Sequence, residues 1–348
     1  SMFLRCFVIV CVILCVYAHN LPQEKHIIDT ESGRSTVTWT EMKEMLANNE
    51  GLMDRTYLLD NKLQHFIPQT QPSIPEKCTR EKLVNELIDL LDVNFLYDNL
   101  IELTQFWNRF YTSQFGVNSA EWIYEQYQTM ISNTPNDLDI SVQFVNHTWA
   151  QPSVIASIQG IGDNKDEIVI VGAHLDSVNW DAQNQDISRA PGACDNGSGT
   201  VTVMELFRVI AESGLSFNRT IEFHHYAAEE VGLLGSQDIA NNYAGEEKPV
   251  AAYLNFDMDG YPGNPALFNV ITDYTDSSLN EFLYQLIDTY ATIEYSSSDC
   301  GYGCSDHASW DQAGYRASFA IENGPYPYAH GPEDKLEYLF LPYAIEYC

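Results

Sequence analysis

The chain has 348 residues, 17 of them basic and 49 acidic, giving a formal net charge of −32 and a pI near 4.3. With 45% hydrophobic residues it holds enough apolar material for a core, which excludes global disorder. The shortage of Lys and Arg excludes a protein that grips phosphate backbones, because nucleic-acid affinity rests on those cations.

The first element is an address. Arg5 precedes the short apolar run Phe7–Val16, and Val16-Tyr17-Ala18 supplies a small-residue cleavage pattern. This predicts a secretory signal peptide over residues 1–18, since ten apolar residues are too few to span a bilayer. No second stretch reaches membrane-spanning length, so a secreted, extracellular protein without a membrane partner is expected. The sequons Asn146-His-Thr and Asn218-Arg-Thr suit a eukaryotic secretory route. Residues 19–77 are polar, weakly periodic and end in Gln69-Thr-Gln-Pro-Ser-Ile-Pro75. They read as a propeptide-like tether rather than a packed domain.

Residues 78–348 form the expected catalytic domain. Leu83, Leu87, Leu90, Leu91 and then Leu100, Leu103, Phe106, Trp107, Phe110 recur at helical spacing, and Glu121–Ile131 reads as another helix. Strands are expected at Ile140–Val145, Ser153–Ile158, Glu167–Ala173, Thr220–Ala227, Ala251–Phe256, Leu267–Thr272 and Ala317–Ile321. Helices are expected between them at Ser198–Glu212, Ser236–Tyr243, Ser277–Tyr290 and Asp306–Ala313. This alternation predicts one α/β domain with a central mixed, mostly parallel sheet covered by helices on both faces.

Acids and histidines fall at the ends of those strands. One strand runs into His174-Leu-Asp176, another into Glu229-Glu230, a third into Asp257, and the Ala317 strand leads through a loop to His330. In open α/β sheets the carboxyl ends of strands form the ligand crevice. Asp195 joins them from the glycine-rich turn Pro191-Gly-Ala-Cys-Asp-Asn-Gly-Ser-Gly199, which opens a helix. Clustered carboxylates repel one another unless a cation lies among them. Two histidines with three carboxylates suit zinc, and five ligands suit two Zn2+ sharing a bridging carboxylate. His224 and His225 lie inside a strand on opposite faces and are expected to be core histidines. In Cys300-Gly-Tyr-Gly-Cys304 the two glycines allow a local disulfide in an oxidising compartment. A zinc knuckle would need a second cysteine pair, and none exists. After leader removal five cysteines remain, so at least one thiol stays free, with Cys194 the candidate.

His174-Leu-Asp-Ser, Pro191–Gly199, Ala227-Ala-Glu-Glu-Val-Gly-Leu-Leu-Gly-Ser236, Asn255-Phe-Asp-Met, Cys300–Trp310 and Trp107-Asn-Arg-Phe-Tyr111 resemble the secreted dizinc leucyl aminopeptidases. The resemblance implies a zinc-exopeptidase fold acting on peptides with free N-termini, apolar leucine-like residues preferred, as a monomer. It implies that Asp195 bridges both metals, that His174 and Asp257 complete one site, and that Glu230 and His330 complete the other. Glu229 becomes the general base and Asp176 the carboxylate behind His174. Met258, Tyr302 and Cys304 of the Cys300–Cys304 loop match positions lining the side-chain pocket. In that family the last histidine precedes a Thr-Thr-Xaa-Asp type turn and a long final helix. Here it reads His330-Gly-Pro-Glu-Asp334, and 18 residues follow His330, a stretch interrupted by Pro342. Two alternatives are a single-zinc glutaminyl cyclase of related fold and a binding protein on the same scaffold.

Overall fold

A computed structural model describes residues 25–48, 50–56, 59, 71–134 and 138–348. The expected signal peptide and the start of the proline-rich exit lie outside these residues. Among the described residues, no helix is long and apolar enough to cross a membrane.

The described residues begin with β1 (Lys25–Thr30), β2 (Gly33–Thr38), α1 (Trp39–Ala47) and β3 (Leu52–Asp54). These form a three-stranded antiparallel sheet of order β2-β1-β3. α1 starts at a capping box, in which the Thr38 hydroxyl accepts from the Glu41 amide and the Glu41 carboxylate accepts from the Thr38 amide. Met42 from α1 joins Ile28 and Leu52 in a small buried core. The expected unpacked tether is therefore corrected for residues 25–56. The apolar residues here are few, and they converge only once the strands pair, which linear periodicity does not report.

α2 (Glu81–Ile88), α3 (Val93–Gln105) and α4 (Gln114–Asn133) follow. The sheet strands are β4 (Ile140–Val145), β5 (Ser153–Ile158), β6 (Ile168–His174), β7 (Thr220–Tyr226), β8 (Val250–Phe256), β9 (Phe268–Ile271), β10 (Tyr295–Ser298) and β11 (Ala317–Glu322). Between them lie α5 (Gly199–Glu212), α6 (Leu234–Gly245), α7 (Ser277–Tyr290) and α8 (His307–Gln312), and the four-residue α9 (Leu341–Ala344) comes last. The eight strands take the order β10-β9-β11-β8-β6-β7-β5-β4. β11, β8, β6 and β7 run parallel at the centre, and antiparallel pairs appear toward both edges. Every expected strand is present. β10, a serine-rich edge strand, carries no apolar run that would announce it.

Helices cover both faces. α3, α4 and α5 bury Leu96, Leu100, Ile123, Tyr127 and Phe207 on one side, and α6 and α8 bury Ile239, Tyr243 and Trp310 on the other. His225 faces the first core, where Tyr127 meets its Nε2 at 2.8 Å. His224 faces the second, bonded to Glu222 at 2.9 Å and Tyr226 at 3.0 Å. Both are core histidines, as the strand periodicity implied. Beside α9 an apolar cavity of about 620 Å³ opens between α2, α7 and the sheet.

Candidate metal centre

β6, β7 and β8 are adjacent and parallel, so His174, Glu229-Glu230 and Asp257 emerge at one sheet edge. Asp195 reaches the same edge from the irregular turn Ala193–Ser198, which opens α5. Gly199, the first residue of α5, lets that helix approach the end of β8: a Cβ there would lie 2.3 Å from the Phe256 carbonyl oxygen. His330 arrives over the crevice in a left-handed conformation, φ 56°, its carbonyl accepting from the Trp180 amide at 3.2 Å.

These side chains form two triads that share Asp195: His174 with Asp195 and Asp257, and Asp195 with Glu230 and His330. His174 Nε2 lies 3.1 Å from Asp195 Oδ1 and 3.5 Å from Asp257 Oδ1. His330 Nε2 lies 3.0 Å from Asp195 Oδ2 and 3.3 Å from Glu230 Oε2. Ligands each about 2.0–2.2 Å from one zinc lie roughly 3–4 Å apart, so both triads have the span of a metal site. The donor chemistry agrees. Asp257 Oδ1, Glu230 Oε1 and both His174 ring nitrogens are buried without a hydrogen-bond partner, a costly state unless a cation meets them. The residues present therefore fit zinc.

Supporting contacts orient these groups. Asp176 stands 3.4 Å from His174 Nδ1 and accepts the Glu229 and Glu230 amides at 3.1 and 3.2 Å. Ser305 donates to Asp257 Oδ2 at 2.6 Å, leaving Oδ1 to face the centre, and Asn255 donates in turn to Ser305 at 2.9 Å. Asp334 accepts the Cys194 and Asp195 amides at 2.8 and 2.9 Å, fixing the turn that carries Asp195. Asp334 stood in the quoted His330–Asp334 run, but its role becomes visible only when the turn folds beneath it. Glu229 Oε2 lies 3.9 Å from His174 Nε2. Burial pushes the Glu229 carboxyl well above the usual range; His174 opposes the shift, and Asp257, Asp306 and Asp176 add to it. Asp195 moves the other way: burial would raise it, but His174 and His330 hold it well below the ordinary value.

His307 is elsewhere. It is fully buried, 4.8 Å from the Phe319 ring, and burial lowers its pKa to about 4. Cys300 and Cys304 form a disulfide, while Cys78, Cys194 and Cys348 are free thiols. Tyr302 and Cys304 line a cleft that also touches Glu229, Glu230 and His330. Met258 follows Asp257 at the end of β8 and is half-buried. Its backbone is left-handed, φ 54°, and part of its side chain packs against the main core. The cleft holds about 100 Å³, and Leu46, Glu50, Gly51 and Leu52 of the N-terminal segment form part of its wall. Gly51 lies so close to the Tyr302 ring that a Cβ would be 2.1 Å from it.

Residues 153–344 match Peptidase family M28. Leucine aminopeptidase 1 of Fusarium vanettenii is 37% identical over 342 residues, covering 94% of this chain and 86% of that protein. A probable leucine aminopeptidase of Arthroderma benhamiae is 37% identical over 319 residues, covering 89% and 86%. The LapA aminopeptidase of Legionella pneumophila superposes with a TM-score of 0.81 at 29% identity, covering 94% of this chain and 96% of that one. With a matching family domain, close relatives along nearly all its length and paired triads at the strand ends, the chain belongs to peptidase family M28 and is a peptide-bond hydrolase of the aminopeptidase type.

Proposed function

We propose that this protein is a secreted, monomeric two-zinc aminopeptidase that removes apolar, leucine-like residues from peptides with free N-termini. The observation that carries this reading is the pair of triads sharing Asp195, each histidine nitrogen 3.0–3.5 Å from the two carboxylates of its triad. Asp195 would bridge the metals, His174 and Asp257 would complete one site, and Glu230 and His330 the other. The chemistry supplied by bound zinc is Lewis acidity, which polarises the scissile carbonyl and lowers the pKa of water to about 7.

The chain's own residues do the rest. Glu229 takes a proton from the attacking water and returns it to the departing amine nitrogen as the C–N bond breaks. Asp176 holds the His174 ring in orientation from its Nδ1 side, a role common to carboxylates behind metal-binding imidazoles. Tyr302 and the Cys300–Cys304 loop shape the pocket for the N-terminal side chain. Residues 19–77 serve as a propeptide whose Glu50–Leu52 stretch occupies the approach to Glu229 and His330. The test is zinc analysis coupled to cleavage of a leucine anilide. Two zinc ions per chain and activity abolished by a chelator are expected. One zinc with cyclisation of N-terminal glutamine would instead identify a glutaminyl cyclase.

A further inference from the structure

Trp107-Asn108-Arg109 lies in the connection between α3 and α4, and its polar groups reach the stretch joining His174 to Asp195. Trp107 Nε1 donates to the Ile187 carbonyl at 2.9 Å. Asn108 Nδ2 faces the carbonyls of Gln185, Asp186 and Ser188 at 3.2, 3.1 and 2.9 Å. The Arg109 amide donates to Ser177 Oγ at 3.0 Å, and Ser177 Oγ donates to the Ala190 carbonyl at 2.9 Å. The Arg109 guanidinium is wholly buried. Its Nε donates to the Leu175 carbonyl at 2.7 Å, Nη1 to Pro191 and Nη2 to Gly192 at 2.8 Å. Leu175 lies between His174 and Asp176, and Gly192 is in the turn that carries Asp195. Gly192 is left-handed, φ 54°, and a Cβ there would sit 2.7 Å from Arg109 Nη2, so the approach admits only glycine.

A buried guanidinium bonded to neutral carbonyls is costly unless negative charge lies nearby. That charge is present: burial lowers the Arg109 pKa to about 10, and Asp334, Asp176, Asp195 and Glu230 oppose that fall. Arginine suits this position because its planar fork presents several donors in fixed directions and remains charged.

We propose that Arg109 is a positioning residue of the metal centre: its fork ties the His174–Asp176 turn to the Gly192–Asp195 turn, and its charge offsets the surplus of carboxylates there. This rests on the metal-binding reading above. The test compares wild type, Arg109→Met and Arg109→Lys for folding by circular dichroism, for zinc affinity by chelator competition, and for the absorption spectrum of the cobalt-substituted protein. Arg109→Met is expected to lose about tenfold or more in zinc affinity, the usual scale for contacts that orient metal ligands, and to show an altered cobalt spectrum. Arg109→Lys keeps the charge but loses the fork, so it should recover part of the affinity and leave the spectrum altered. A folded Arg109→Met with wild-type affinity and spectrum overturns the proposal. So does an Arg109→Lys variant indistinguishable from wild type, or the failure of both variants to fold, which would make Arg109 a folding residue only. A wild-type protein that binds no zinc would overturn the two-zinc reading instead.

Discussion

Glu229 and Glu230 are adjacent, yet one faces His174 at 3.9 Å while the other meets His330 at 3.3 Å. The pair lies past the end of β7, where the Glu229 carbonyl accepts the Gly232 and Leu233 amides, and the two side chains diverge there, so a base and a ligand can share two positions. Glu229→Gln should therefore keep both zincs while losing about 10²-fold or more in kcat, because an amide cannot accept the water's proton. Near wild-type turnover would remove Glu229 from the proposed role. Asp259 offers a pH test of stability. Burial pushes its carboxyl up to about 7, which the Thr202 and Ser198 hydroxyls offset only in part. The unfolded chain releases that proton near 3.9. Its contribution to stability is thus present below that value and lost as pH rises toward 7. Asp259→Asn cannot ionise and escapes the loss, so its stability relative to wild type should increase by roughly 3 kcal/mol between about pH 5 and pH 8. Denaturant unfolding of both proteins in chelator checks this, and a difference independent of pH would refute it.

The elements explain why distant residues meet. The parallel alignment of β6, β7 and β8 brings three donor-bearing strand ends together, while α5 presses its first turn against the end of β8. Gly199→Ala should push α5 away from the Phe256 carbonyl. Overpacking of this kind costs about 1–3 kcal/mol. Because Asp195 and Asp257 stand on the two sides of that contact, zinc affinity should fall with stability, as urea unfolding and metal titration would show. A variant with unchanged midpoint and unchanged affinity would mean that the helix accommodates the methyl group.

For the whole molecule, the N-terminal segment is a folded cover. Asp54 donates its amide to the Gly232 carbonyl at 3.2 Å and accepts Gln237 Nε2 at its own carbonyl at 2.8 Å, so β3 is fastened two residues from Glu230. Lys43 reaches the Ala182 and Gln183 carbonyls, both at 3.2 Å. Proteolysis between residues 57 and 75, followed by release of the segment, should raise kcat/KM for a leucine anilide about tenfold or more, since apparent affinity scales with the fraction of open sites. Unchanged activity after the segment is gone would leave it without an inhibitory role.

The strand–helix alternation from 140 to 322 was legible in the sequence because central parallel strands are continuous apolar runs bounded by turns, as Ile168–His174 illustrates. The acids and histidines that close those strands were legible for the same reason: strand ends locate the crevice. Three things were decided only by tertiary structure. Residues 25–56 converge on a core through strand pairing that local periodicity does not encode. Met258 takes a left-handed backbone, φ 54°, that residue type does not announce. Arg109 bonds the Gly192 carbonyl and Asp334 the Asp195 amide across 83 and 139 positions of chain, and such partners exist only once folding has brought the loops together.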